Sequence, residues 1–147
     1  MTTYNLIEKA FALKQTSLFE NLDLEMLLAI GDRMGIVSFN EGDKIFYLDQ
    51  EDNNMYVIVE GEVEVRDHDQ RIITTLSKGD FFGDESIFNG QTRCYEVISK
   101  GRTLLMMITR TTLLTVMSEN PSIAITLLQE YASTTTFRKR KSPEMVQ

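Results

Sequence analysis

Asp84 and Arg93 carry the most chemistry in this chain. They lie on one stretch, Phe81-Phe82-Gly83-Asp84-Glu85-Ser86-Ile87-Phe88-Asn89-Gly90-Gln91-Thr92-Arg93-Cys94-Tyr95-Glu96-Val97. β-like segments flank it on both sides, which predicts an arginine in the interior of a sheet structure. A guanidinium taken out of water is costly unless an anion meets its fork of N–H donors. Gly83, Ser86 and Gly90 are small enough to let backbone amides turn toward such an anion. The Asp84 carboxylate can accept from a sugar hydroxyl nearby. An arginine for phosphate and an acid for ribose describe a nucleotide pocket. The competing, bland reading is a surface strand arginine paired with Glu96 or Asp84.

Other chemistries find little support. His68 is the only histidine and Cys94 the only cysteine, so an ordinary zinc or iron–sulfur site has too few ligands. No histidine is placed to activate a serine or cysteine, and no metal site or enzymatic activity is expected. Cys94 reads as a packed or pocket-wall residue, His68 as a surface turn residue, and the pair Glu51-Asp52 as solvated. The net charge of -7 should repel nucleic acid, which argues against direct DNA binding. The local exception, Arg138-Lys139-Arg140-Lys141, reads as a solvated helix end whose cations complement the helix dipole. No apolar run approaches the roughly 20 residues that span a bilayer, and no signal peptide is visible. With one cysteine, this fits a reducing cytoplasm, so a cytoplasmic protein without membrane contact is predicted.

The elements that must position the stretch follow from periodicity. The whole chain, 1–147, suits one domain. Residues 1–35 form a helical entry: Tyr4 to Leu13 has helical spacing of apolar residues, and Asp23 can cap a second helix through Ile30. Residues 36–108 change texture, with short apolar runs at Ile45-Phe46-Tyr47, Tyr56-Val57-Ile58-Val59, Val63 with Val65, and Ile72-Ile73. Turn residues separate them at Asp52-Asn53-Asn54, Glu60-Gly61, Asp67-His68-Asp69 and Lys78-Gly79-Asp80, a rhythm that predicts a barrel of about eight strands. Residues 109–141 return to helix, around Thr111 to Met117. The helix breaks at Asn120-Pro121 and restarts from Ser122 to about Lys141, with Pro121 in the first turn. Residues 142–147 form a tail.

With the pieces in this order, the chain resembles the cyclic-nucleotide-binding domain family, of the catabolite-activator and protein-kinase-A-regulatory type. Phe82, Gly83, Ser86, Ile87 and Arg93 match the phosphate-binding cassette, here 82–95, at the family's spacing. Ser17-Leu18-Phe19 with Leu22, Gly42-Asp43 before Ile45-Phe46, Met55 to Val59 with Gly61 and Val63, and Gly79 to Gly83 match further motifs. The resemblance implies a mainly β fold: a jelly-roll (double-stranded β-helix) barrel with N-terminal helices and a long C-terminal helix. Four departures stand out, one being that Leu48-Asp49-Gln50-Glu51-Asp52 lacks the glycines often found in that loop. The family's glutamate is Asp84, its Ser, Thr or Ala after the arginine is Cys94, and a small residue is replaced by Tyr95.

The resemblance further implies a non-enzymatic sensor of cyclic AMP or cyclic GMP, needing no cofactor beyond that ligand. Phe82, Gly83, Asp84, Glu85, Ser86, Arg93 and Cys94 would surround the ligand, with Glu85 contributing mainly backbone. Thr134, Phe137 and Arg138 would stand at the depth for base contacts. Movement of the final helix would pass the signal to an effector protein or through a homodimer along Ile123, Leu127, Leu128 and Tyr131. No DNA-reading, kinase or channel segment is expected beside it. The alternative is a degenerate pocket in a protein-interaction module, motivated by Asp84, Cys94 and Tyr95.

Overall fold

The computed structural model describes residues 4–133. Two short helices lead in: α1 (Leu6–Lys14) and α2 (Leu24–Asp32). Asn5 starts α1 through a capping box, its side chain accepting from the Glu8 amide while Glu8 reaches back to the Asn5 amide. Asp23 caps α2 by accepting from the Met26 amide. Six strands follow, β1 (Gly35–Phe39), β2 (Lys44–Phe46), β3 (Asn54–Arg66), β4 (Ile72–Ser77), β5 (Phe81–Phe82) and β6 (Glu96–Thr109), with α3 (Asp84–Asn89) set between the last two. Thr109 caps α4 (Arg110–Glu119), Asn120 ends it, and Pro121 opens α5 (Pro121–Ser133), as the proline rule predicts.

All pairings are antiparallel, in the order β1-β6-β3-β4, with β2 on β6 and β5 on β3. The jelly-roll-like architecture expected from the sequence is therefore present, but the described residues form six strands rather than about eight. One reason lies at Glu60-Gly61. The sequence marks a turn there, yet β3 runs straight through and bends. Gly61 sits at φ +93°, and a Cβ at this position would lie 2.5 Å from the Arg102 carbonyl oxygen and 2.9 Å from Thr103 Cα. The ladder to β6 shifts register on both sides of Glu60. Each half of β3 thus serves a different neighbour, β5 before the bend and β4 after it.

Burial follows the period of two. Met55, Val57 and Val59 face the helices, packing with Leu13, Phe19 and Met106. Tyr56 and Ile58 face the barrel interior with Phe46, Val63, Phe82 and Leu105. Both faces of β3 are covered, which is why the run Met55 to Val59 is continuously apolar rather than alternating. The described part of α5 buries Ile123 and Leu127 but leaves Leu128 67% and Ile125 56% exposed. The expected continuation of this helix to about Lys141, the basic run and the tail lie outside the described residues.

The bend yields a stability test. Gly61→Ala is expected to cost about 2–5 kcal/mol, since left-handed backbone strain adds to overpacking against β6. Gly42, also left-handed but with open space around a Cβ, should lose only about 1–2 kcal/mol on the same change. Urea midpoints of the two variants separate these; equal losses would contradict the close approach at Gly61.

Candidate functional site

The cassette begins where β5 presses on β3, with Tyr56 opposite Phe82 in register. Gly83 follows at φ +84° and forms the N-terminal cap of α3. A Cβ there would lie 2.7 Å from the Asn54 carbonyl oxygen and 3.1 Å from Arg93 Nη2, so only glycine lets the loop close over the arginine. After α3 the chain returns through Arg93, whose amide donates to the Gln50 carbonyl and whose carbonyl accepts from the Asp49 amide.

The Arg93 side chain is fully buried, 0% exposed. Nη1 donates to the Gly83 carbonyl at 2.9 Å, and Nη2 to the Asn54 carbonyl at 2.5 Å. Asp52 Oδ1 stands 3.3 Å from Nη2 as its counter-ion. The guanidinium carbon lies 4.1 Å from the centroid of the Phe46 ring, a desolvated cation–π contact. Nε is buried and has no acceptor among the described residues. Asp52 is itself fixed from two sides, accepting from the Asn54 amide and from the Tyr56 hydroxyl. Burial together with the Asp52 charge pushes the Tyr56 hydroxyl up to about 12, so it remains a donor.

Two tyrosines occupy the acidic corner. The Tyr95 ring packs 5.3 Å from that of Phe46. Its hydroxyl accepts from the Gly83 amide at 3.2 Å and donates to Glu85 Oε1 at 2.5 Å. The Tyr131 hydroxyl, on α5, donates to Asp84 Oδ2 at 2.5 Å, while its ring meets Phe88 edge-on at 5.5 Å. Burial, then the neighbouring carboxylates, raises the hydroxyl pKa of both tyrosines above its ordinary value. Glu85 is exposed as a residue, yet lost hydration at its carboxyl and the adjacent Asp84 raise its pKa; the Tyr95 bond partly opposes this. Ser86 is buried, its hydroxyl donating to the Gly83 carbonyl.

The sequence profile of the family described as "Cyclic nucleotide-binding domain" matches residues 36–120. This chain belongs to that family. It is 29% identical over 93 residues to the human cGMP-dependent protein kinase 2, covering 60% of this chain and 12% of the kinase. To the cAMP-dependent protein kinase regulatory subunit of Mycosarcoma maydis it is 29% identical over 94 residues, 62% of this chain and 18% of that protein. The chain thus spans less than a fifth of these relatives. Among solved structures it superposes on the N-terminal domain of a transcriptional regulator from Streptomyces coelicolor A3(2) with a TM-score of 0.79. That match has 22% identity and covers 90% of this chain and 98% of the other. It superposes on the regulatory domain of Toxoplasma gondii PKA, crystallised with cAMP, with a TM-score of 0.74 at 20% identity, covering 88% and 50%. At such identities these two matches speak to the fold.

In this cyclic nucleotide-binding domain, the predicted cassette residues Phe82, Gly83, Asp84, Glu85, Ser86 and Arg93 do converge around α3. Cys94 does not pack as expected but is exposed, because Arg93 takes the inward position beside it. Thr134, Phe137 and Arg138 lie outside the described residues. Asp52, read as solvated, is in fact buried and is the arginine's ion-pair partner; neither Glu96 nor Asp84 plays that part. Glu96 pairs instead with Lys44. His68 sits on an exposed turn beside Asp69, as expected. The described residues contain no cluster of metal-ligating side chains and no helix long and apolar enough to cross a membrane.

Asp52 gives a direct test of this electrostatic core. Asp52→Ala should destabilise the fold by about 3–5 kcal/mol, because it leaves the buried Arg93 charge without a counter-ion. Asp52→Asn, which keeps an acceptor, should lose less. Chemical denaturation of both variants checks the order; a change below about 1 kcal/mol for Asp52→Ala would show that the pair is not the arginine's main support.

Proposed function

We propose that this domain is a non-enzymatic sensor of a cyclic nucleotide, cyclic AMP or cyclic GMP, and that its output is the position of α5. The observation that carries the reading is the Tyr131–Asp84 hydrogen bond. It ties the acid of the cassette to the C-terminal helix. In the proposed complex Arg93 meets the phosphate, its buried Nε–H being a donor without an acceptor among the described residues. Amides at the start of α3, which like those of any helix lack intrahelical partners, assist it. Asp84 accepts from the ribose 2′-hydroxyl.

Each tyrosine already makes to the cassette a bond that the nucleotide would make. Tyr95 is an acceptor for the Gly83 amide, as a phosphate oxygen would be. Tyr131 is a donor to Asp84, as a ribose hydroxyl would be. Binding therefore exchanges internal partners for ligand. Loss of the Tyr131 bond, of the charged type contributing about 1.5–3 kcal/mol, loosens α5. The exposed Ile125 and Leu128 of that helix suit readout by a partner chain or a second copy.

A second reading is favoured by one observation, the complete burial of Arg93 with both Nη groups engaged. A pocket so filled from within suits a protein-interaction module that no longer takes nucleotide.

Calorimetric titration with cyclic AMP and cyclic GMP decides between them. Tyr131→Phe should tighten binding about tenfold, since the competing donor is gone. Arg93→Ala should weaken it about a hundredfold, with Arg93→Lys as the variant that keeps a charge if the alanine variant unfolds. Absence of binding in the parent, in Tyr95→Ala and in Tyr131→Phe alike, with all three folded, would sink the sensor reading in favour of the interaction module.

A further inference from the structure

Behind the Tyr131–Asp84 bond lies a cleft of about 500 Å³ between α3, α4 and α5, within the size range of small-molecule sites. Its walls are apolar: Phe88 from α3, Met117 from α4, and Ala124, Leu127 and Leu128 from α5. Phe88 and Leu128 remain 42% and 67% exposed, so the helices do not close on one another. At one end the chemistry changes. Asp84 and Glu85 both line the cleft, and among the described residues neither forms an ion pair with a lysine, arginine or histidine. Beside them the rings of Phe88 and Tyr131 stand nearly perpendicular, 77° between planes.

Two adjacent carboxylates and a right-angled aromatic corner are complementary to one kind of head group. Aromatic faces attract a desolvated cation, most usefully an alkylated ammonium, and the carboxylates supply the opposite charge. The apolar walls then require a hydrophobic body behind that head. An anionic or neutral apolar molecule would gain only the walls. We propose that the α3–α4–α5 cleft is a binding site for a small apolar molecule bearing an ammonium head, the head held by Asp84, Glu85, Phe88 and Tyr131. This site shares Asp84 with the one proposed for nucleotide but is otherwise built from different residues. It uses the α5-facing side of the cassette and needs neither Arg93 nor Tyr95 to move. Its occupant would bridge α3 to α5 and so favour the arrangement in which Tyr131 holds Asp84.

The test uses three probes of one shape, 4-phenylbutylammonium, 4-phenylbutanol and 4-phenylbutyrate, followed by methyl NMR at Met117 and Leu127 of the full chain. The ammonium is expected to bind about tenfold more tightly than the alcohol and the carboxylate more weakly than either. Ala124→Phe, which fills the cleft, should abolish the ammonium-dependent shifts, and Glu85→Gln should weaken them. The probes are added without nucleotide, so failure of the sensor reading leaves this result standing. Equal affinity for the three probes, no shift at Met117 and Leu127, or shifts that survive Ala124→Phe would overturn the proposal.

Discussion

The structure is organised around one buried cation. Arg93 is held by a carboxylate from the loop before β3, a carbonyl from the first residue of β3, a carbonyl from the β5–α3 turn, and a ring from β2. Removing such a charge from water costs several kcal/mol even after relaxation, so each of these elements must arrive in register for the fold to be favourable. The demand explains local features that look unrelated. Gly83 must be glycine to clear Arg93 and Asn54. Asp52 must be fixed by Tyr56 and the Asn54 amide. Phe46, whose ring lies against the guanidinium, packs in turn with Tyr56, Phe82 and Tyr95, so the charge borders an apolar, low-dielectric cluster in which charge-assisted bonds are strengthened.

Much of this was legible in the sequence because it depends on short spacings. The cap Asp23, the break at Asn120-Pro121, the proline restart of α5 and the cassette glycines are local signals, and the structure carries them at the expected positions. The burial of Arg93 followed from flanking β texture. What could not be read depends on contacts between distant segments. Asp52 sits in a polar run that resembles any solvated turn, and only folding brings it against an arginine far along the chain. Tyr131 falls at helical spacing from Leu127, so the pattern assigns it to an apolar stripe; its hydroxyl gains meaning only when α5 lies across α3. The strand count failed at Gly61 for the opposite reason, since a glycine that marks a turn also permits a bend, and local sequence does not distinguish them.

The cassette therefore joins two opposed requirements. Arg93 is part of the electrostatic support of the barrel, while in the proposed function it also serves a ligand. Asp84 and Glu85 are each occupied by a tyrosine, one from the barrel side and one from α5. In the proposed function, internal hydroxyls that hold the acids keep the sensor closed without leaving a costly unpaired charge, and the ligand must replace bonds of the charged type. The cleft between α5 and α3 leaves part of that contact without dispersion energy, although Ile123 and Leu127 remain fully buried.

The most direct test of the central claim watches the arginine itself. With side-chain-labelled arginine, the Arg93 Nε–H resonance should be protected from exchange in the free protein and should shift strongly on saturation with cyclic AMP or cyclic GMP, as a phosphate oxygen becomes its acceptor. A resonance that stays fixed while nucleotide binding saturates, or that remains fixed because no nucleotide binds at all, would contradict the account.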